Sequence, residues 1–431
     1  MLMKHPSLTR LLWTAPVVSA VGTLMSGTMQ PALAQDPNYD NAKELGAVSV
    51  GDRYRPWLQP NGIRAGDFII SPSIGYGITW NDNVFSGPKT AAQGDLRHEF
   101  DGRVDVSSRL PRHMLNFMFA GKIGQMQELD YFQYKDARAQ TQFRIDIDRY
   151  HKVFGTLSYN KGHDDHISPE TPTAARKPIE LARSSSEVGF LRDTGKLATS
   201  VGVKFDTWNF KDVEKFGGGL IEQDQRDIKL LSPFVKVSYQ ASPGFKFLGE
   251  FSTYSQKGPI VEPVSHDGRG YEARGGVQFE LSPLVRVALM GGWHVAEFED
   301  PAIRNVAQPV WDARVQWLIS PMLTLTAKTD RQLFPAALSD SATRIQSRVI
   351  FGAEYEMWRN LLIKSELELR EDHFAGTTRS DISRAVTFGA EYTHTPNWLF
   401  SANYEHRNRT SSTTNFDVTT NKVMFGARYR Y

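Results

Sequence analysis

The sequence predicts an all-β fold: a transmembrane, antiparallel, up-and-down β-barrel of about 18 strands. Three observations lead to this prediction. The last segment of the chain has the periodicity of a strand and ends on an aromatic residue, the first has the character of an export leader, and turn sequences recur about every 40 residues between them. The predicted organisation is a signal peptide over 1–34, a periplasmic extension over 35–65 and an outer-membrane barrel over 66–431.

The carboxyl-terminal segment 423–431 alternates apolar and polar side chains. On a barrel strand, one set of these side chains faces lipid and the other faces a wet lumen. The lipid-facing set is predicted to be Val423, Phe425, Ala427 and Tyr429, and the luminal set Lys422, Arg428 and Arg430. Phe425, Tyr429 and the terminal Tyr431 also resemble the signal that the barrel-insertion machinery of Gram-negative bacteria reads. An amphipathic edge strand of a soluble β-domain is the alternative for this segment alone.

The amino terminus favours export. Lys4 and Arg10 precede an apolar stretch, and Ala32-Leu33-Ala34 has the small-x-small pattern of a signal-peptidase site, so cleavage is predicted after Ala34. An uncleaved anchor helix is the alternative, but Pro16 and Gly22 interrupt the apolar run. The outer membrane of a Gram-negative bacterium is therefore the predicted location.

Composition narrows the function classes. The chain has no cysteine, which excludes disulfides and lipoprotein acylation. Without Lys4 and Arg10 the mature chain has as many basic as acidic residues, so no global charge attracts nucleic acid. The negative mean hydropathy and the lack of a second long apolar run argue against a helical membrane protein, whereas a barrel exposes only alternate residues to lipid.

The strands are placed by turn sequences that alternate with longer polar stretches, as expected of short periplasmic turns and long external loops. A soluble propeller is the competing repeat architecture, but no motif repeats from blade to blade. The predicted strands are 67–80, 97–110, 113–129, 135–149, 152–163, 181–193, 197–210, 226–241, 245–256, 270–282, 284–298, 309–320, 322–333, 343–357, 361–373, 382–394, 398–408 and 419–431.

One strand departs from the common phase. Ile228 and Leu230 are apolar at even positions, whereas Val235 and Val237 are apolar at odd positions. A β-bulge at Pro233 would absorb this change of phase, because a bulge inserts one extra residue into a strand.

The segment after the leader carries motifs of a known family. It reads Arg55-Pro-Trp-Leu-Gln-Pro-Asn-Gly-Ile-Arg-Ala-Gly-Asp-Phe68 and is followed by Asn81-Asp-Asn-Val-Phe85. Both pieces resemble the start of the putative beta-barrel porin 2 family, whose members are often associated with exopolysaccharide gene clusters. The resemblance implies an envelope channel or a component of polysaccharide export, and no established reaction.

Charged residues at luminal positions are the candidate functional groups. Opposite charges on neighbouring strands can pair, which is ordinary filling of a barrel; a cationic constriction requires that some arginines stay free and that an inward loop gathers them. The pore-lining candidates are Arg274, Arg314, Arg344, Arg348, Arg370, Lys246, Lys328, Lys364, Glu250, Glu366 and Glu368.

Signals for catalysis are weak. His163-Asp164-Asp165-His166 is the densest cluster of acid-base residues, but successive strand residues alternate faces, and a solvated loop is the plainer interpretation. Glu371-Asp372-His373 has the same limitation. No nucleophile elbow, phosphate-binding loop or zinc-ligand spacing occurs, so we expect no enzyme activity, metal or cofactor.

These observations favour an outer-membrane channel that takes part in export of an exopolysaccharide. A general diffusion porin or a structural or adhesive barrel is the first alternative, and a surface hydrolase using His163 and Asp164 is the second alternative. The expected partners are outer-membrane lipid and lipopolysaccharide, the barrel-insertion machinery, periplasmic polysaccharide-synthesis or export proteins and an acidic polysaccharide, but no nucleic acid.

Overall fold

The computed structural model describes residues 48–258, 260–261, 264–338 and 341–431. The signal peptide, its cleavage site and the first part of the predicted extension lie outside these residues and stay predictions. Among the residues described, no helix is long and apolar enough to cross a membrane.

The chain forms one closed antiparallel barrel of 18 strands, which confirms the predicted fold class and strand number. Each strand pairs with the next, and the last pairs with the first from Ser73↔Arg430 to Asn81↔Lys422, which closes the barrel. The strands are β1 Phe68–Asn81, β2 Asp95–Ser108, β3 Met114–Met126, β4 Gln133–Asp146, β5 His151–Asp164, β6 Ile179–Asp193, β7 Leu197–Phe210, β8 Ile228–Ser242, β9 Phe245–Lys257, β10 Gly268–Ser282, β11 Val285–Phe298, β12 Val306–Ser320, β13 Leu323–Leu338, β14 Ser341–Trp358, β15 Leu361–Phe374, β16 Ser380–Thr395, β17 Trp398–Ser411 and β18 Val418–Arg430.

A short extra strand completes the wall where β18 ends. Ile63–Ala65 pairs with Phe68–Ile70 at the start of β1, below the last β1–β18 pair. Gly62 and Gly66 flank this strand with φ values of +67° and +58°, a left-handed conformation that favours glycine. The motif around Gly62 and Gly66 therefore sets how the chain enters the barrel.

The two faces of the wall follow the alternation in the sequence. In β18, Phe425 is 54% exposed on the outer face, whereas its neighbour Met424 is 6% exposed on the inner face. Large exposed aromatics near the periplasmic strand ends include Trp358 and Trp398. Such rings are typical of the belt where a barrel meets the membrane interface.

This arrangement predicts different tolerances on the two faces of β11. Leu289→Arg should destabilise the folded barrel by about 2–4 kcal/mol, because it places a cation against lipid near mid-strand. Ala288→Arg is the matched control: Ala288 pairs with Arg314, which is exposed within the lumen, so the new side chain has room and water there. Urea unfolding in lipid vesicles measures both changes, and equal losses would contradict the assigned orientation.

The outer ends of β13 and β14 differ from the prediction. The predicted strands end at 333 and resume at 343, but β13 continues to Leu338 and β14 begins at Ser341. Pairing between β12 and β13 stops at Trp311↔Arg331, while β13 stays paired with β14. Ile345 then packs with Ala296 and Val306, which belong to the inner face of β11 and β12. The end of this hairpin therefore leaves the wall and turns into the barrel mouth.

The bulge predicted at Pro233 is wrong. The β7–β8 register runs without a shift from Ile228↔Trp208 to Tyr239↔Leu197. Ile228 faces inward and packs with Trp208, Phe210 and Val213 in a buried apolar cluster. Apolar residues therefore occupy luminal positions here because an external loop covers them, and the strand keeps its phase.

Candidate functional site

The loop between β5 and β6, L3 (residues 165–178), folds across the lumen. β14 is the ninth strand after β5, halfway around the barrel, yet the tip of L3 reaches β14 and its neighbours. Three arginines bind this tip. Arg344 Nη1 lies 3.3 Å from Glu170 Oε1, Arg379 Nη2 donates to Pro169 O at 2.6 Å, and Arg409 Nη1 donates to Ile167 O at 2.8 Å.

The base of L3 is tied to the loop between β7 and β8, L4 (residues 211–227). Arg226 Nη2 donates to Asp164 Oδ2 at 2.6 Å, and Arg176 N donates to Glu214 O at 2.8 Å. Ala175 and Lys215 form an isolated antiparallel bridge. L3 is therefore supported at its base by one loop and at its tip by the opposite wall.

Hydrogen bonds between residues within L3 fix the shape of the loop. Ser168 N donates to Asp165 O at 2.9 Å, and His166 Nε2 lies 2.8 Å from Ala175 O. Burial raises the pKa of the Asp165 carboxyl, but the nearby charges of Lys422 and Arg97, among others, outweigh it and hold that pKa below its usual value. Asp165 is thus a carboxylate at neutral pH.

The arginines that meet the tip belong to a larger charged cluster on β14–β17. Arg370 pairs with Asp372 at 2.9 Å, Arg379 with Asp381 at 2.7 Å and Arg407 with Glu368 at 3.1 Å. Arg409 differs, because the acceptors recorded for it within the described residues are two carbonyl oxygens, Ile167 O and Phe416 O. Neutral acceptors leave its positive charge uncompensated by direct contact.

Deeper in the barrel the lumen is open to water. Arg138, Arg314 and Glu366 all point inward, yet each is exposed. Arg314 and Lys328 are direct partners in the β12–β13 register, so two cations stand side by side on the wall there. An anion passing L3 would meet these cations next.

The other pore-lining candidates lie on the inner face and mostly pair across strands. Arg274 contacts Glu250 at 3.0 Å and Glu272 at 2.8 Å. Lys364 contacts Glu391 at 2.9 Å, and Arg348 contacts Asp330 at 2.9 Å. Lys246 faces inward near the periplasmic end of β9. Of the eleven candidates, Arg344 contacts L3 directly.

A second segment enters the lumen from the periplasmic end. Val50 is fully buried, and its backbone N donates to Thr324 Oγ1 at 3.1 Å. Gly51 N donates to Glu354 Oε2 at 2.9 Å, and a Cβ at Gly51 would lie 2.7 Å from the Glu354 carboxylate, so a larger residue there would have to displace that side chain. Arg55 pairs with Glu356 at 2.7 Å. Residues 49–55 therefore cross from the start of the barrel to β13 and β14.

The residues of the two acid-base clusters, 163–166 and 371–373, contact different partners and do not form one site. His163 Nδ1 lies 2.9 Å from Asp136, while Asp164 binds Arg226 and Thr171. Asp372 is buried and points inward, whereas its neighbours on β15 are exposed on the outer face. No group of three potential metal ligands is found in the part of the chain that the structure describes.

Sequence reasoning missed Arg379 and Arg409. Arg379 precedes β16, and Arg409 lies just past the predicted end of a strand at 408. A signal was present for the second residue, because Glu405, Arg407 and Arg409 share one parity and therefore one face of an extended strand. Neither residue's contact with L3 could be read from spacing along the chain.

A closed barrel with a charged, water-accessible lumen and an inward loop defines the class of porin-like outer-membrane channels. The chain belongs to one family of that class: the model for Putative beta-barrel porin 2 matches residues 55–431. The family predicted from the two amino-terminal motifs is thereby confirmed.

Three solved structures resemble the chain. Pseudomonas aeruginosa OpdK with vanillate has 11% identity over 84% of this chain and 98% of its own, with a TM-score of 0.46. Acinetobacter baumannii OccAB3 has 10% identity over 85% and 100%, with a TM-score of 0.47. Pseudomonas aeruginosa OpdO has 10% identity over 85% and 97%, with a TM-score of 0.48. No curated protein matches the chain.

Proposed function

We propose that this outer-membrane barrel is a gated channel that takes part in export of an acidic exopolysaccharide, and that it performs no chemistry itself. One observation carries the proposal. The tip of L3 occupies Arg344, Arg379 and Arg409 with a single carboxylate and two carbonyl oxygens. A uronate or similar acidic sugar offers the same kind of acceptor with a full negative charge, so it can replace L3 on these arginines.

The lumen on the periplasmic side of L3 suits the same cargo. On its way from the periplasm, the polymer meets the exposed Arg138 and the adjacent pair Arg314 and Lys328 before it reaches L3, and these cations attract anions into the water-filled middle of the barrel. The exposed Glu366 on the same wall prevents a continuous run of positive charge. Successive weak sites of this kind allow a polyanion to enter and also to leave.

A structural barrel is the second candidate, and a specific observation favours it. L3 lies across one end of the lumen, while residues 49–55 pack inside the other end. A barrel that holds both segments permanently would conduct nothing. The two candidates differ in whether L3 moves, and an experiment can address that directly.

A disulfide can hold L3 in place. The Cα atoms of an antiparallel bridge pair such as Ala175 and Lys215 lie about 4.5–5.5 Å apart, within the range a disulfide spans. The chain has no cysteine of its own, so Ala175→Cys with Lys215→Cys creates the one disulfide possible. In cells that have this variant as their only copy of the barrel, we expect the disulfide to lower the amount of secreted acidic polysaccharide about tenfold or more. Reduction of the disulfide should restore secretion.

The controls are the two single-cysteine variants, which should secrete normally with and without reductant. Barrel abundance in outer membranes is measured in every strain. If the disulfide forms fully and secretion stays at the wild-type level, L3 does not gate export. If cells without the barrel secrete normally, the export role itself is wrong.

A further inference from the structure

The outer face of β12–β16 has a feature that the channel function does not use. A groove of about 420 Å³ runs along this face, with small residues such as Ala327 and Ala353 in its floor and the rings of Trp317, Phe351 and Phe388 in its lining. Its volume is in the range of sites that hold small ligands. Because these side chains face away from the lumen, the ligand that reaches the groove comes from the membrane.

Two arginines stand beyond the outer end of this groove. Arg331 follows Ala327 by four residues on β13, about 13 Å at the usual rise of a strand. Arg384 precedes Val386, another lining residue, by two positions on β16 and is exposed on the outer face. External loops lie at this end, so both cations stand near the outer leaflet.

The contacts of Arg331 leave its charge available. Its Nη1 donates to Ser347 Oγ at 2.9 Å and its Nη2 to Gln308 Oε1 at 3.1 Å, and its guanidinium lies 5.5 Å from the centre of the Trp311 ring. These partners are all neutral. Arg331, Ser347 and Glu371 are aligned across neighbouring strands on the outer face. The Glu371 carboxylate accepts a hydrogen bond from Ser380 Oγ at 3.4 Å.

The guanidinium of Arg384 has fewer polar contacts than that of Arg331. No hydrogen bond or ion pair is recorded for its guanidinium among the residues described, although it lies on a wall that faces lipid. A cation in such a place is costly unless it reaches an anion at the membrane interface. Phosphate is the anion that the outer leaflet supplies to arginine in this geometry.

We propose that this face binds the phosphate-bearing glycolipid of the outer leaflet, lipopolysaccharide, as a resident lipid. Phosphate oxygens accept from Arg331 and Arg384, and an acyl chain lies in the groove beside Ala327 and Ala353. Towards the external end, Pro309 of β12 and Pro335 of β13 lie where these two strands no longer pair with each other, and a proline there discourages an added β-strand. The site therefore suits a lipid better than a partner's strand.

The test uses the purified full chain in detergent micelles, titrated with lipid A and followed by native mass spectrometry. Arg384→Gln should weaken binding about tenfold, and Arg331→Gln with Arg384→Gln about a hundredfold, because each lost charge-assisted contact contributes about one factor of ten. Arg384→Gln breaks no hydrogen bond or ion pair among the described residues, so we expect the variant to fold. Lys135→Gln is the matched control, since Lys135 is an exposed outward cation on β4, half the barrel away.

Three results would overturn the proposal. The first is an equal loss of binding in Lys135→Gln, which would mean non-specific attraction. The second is equal binding of dephosphorylated lipid A, or full competition by inorganic phosphate alone, because the site needs both phosphate and acyl chain. The third is a stable dimer that buries the groove, which would make a second copy of the chain its occupant. Lipid A bound selectively by the wild type and lost in the arginine variants supports it.

Discussion

Deletion of Tyr429–Tyr431 is expected to abolish assembly of the barrel in the outer membrane. Arg430 pairs with Ser73 at the closing seam, Arg430 N donates to Asn397 O at 2.8 Å, and Tyr431 N donates to Pro72 O at 3.0 Å. The deletion removes these contacts and leaves the start of β1 as an open edge. It also removes two aromatics at the membrane interface, whose apolar surface stabilises the barrel when it leaves water.

The folded fraction should therefore fall by more than about tenfold, measured by heat-modifiable mobility of the protein in isolated outer membranes. A deletion of equal length, Thr413–Asn415 in the external loop between β17 and β18, is the control and should assemble normally. Equal assembly of the two deletion variants would show that the terminal residues are not required for closure or recognition.

Arg344→Glu is expected to release L3. The Arg344 side chain is 2% exposed and lies between Glu170 on the loop and Asp372 on β15, so the substitution places three carboxylates together. Breaking a buried ion pair costs about 3–5 kcal/mol. The ratio of closed to open channels should therefore fall about a hundredfold or more, seen as longer and more frequent openings in planar bilayers.

A charge swap separates loss of this contact from general damage. Glu170→Arg combined with Arg344→Glu restores an ion pair and should restore much of the closed state. Arg348→Glu is the second control, because Arg348 pairs with Asp330 on the wall and has no recorded contact with L3 in the described structure. It should change ion selectivity and leave the frequency of openings near that of the wild type. If it opens the channel as strongly as Arg344→Glu, L3 is not the gate.

The sequence predicted the features that depend on local alternation. Strand number, closure and the two faces of the wall follow from a period of two and from turn residues, both of which can be read along the chain. The prediction failed where a segment leaves the wall. Beyond Arg331, β13 loses its pairing with β12, and the apolar Ile228 is inward because a loop covers it.

The candidate site, too, was predicted only where it depends on alternation along a strand. Arg344 was identified by its luminal parity, but its contact with Glu170 joins residues far apart in the sequence and depends on where L3 folds. Arg379 lies in a loop, where parity has no meaning, and so could not be assigned to the lumen. Spacing along one strand cannot report which side chains meet across half a barrel.

The most direct measurement of the central claim is the single-channel current of the barrel carrying Ala175→Cys and Lys215→Cys, recorded in a planar bilayer before and after reduction. A gate formed by L3 predicts little current in the oxidised state, and openings with anion preference once reductant breaks the disulfide. The same current in both states would contradict gating by L3 and leave an ungated pore. No current in either state and none from the wild type would contradict a channel and leave the structural barrel.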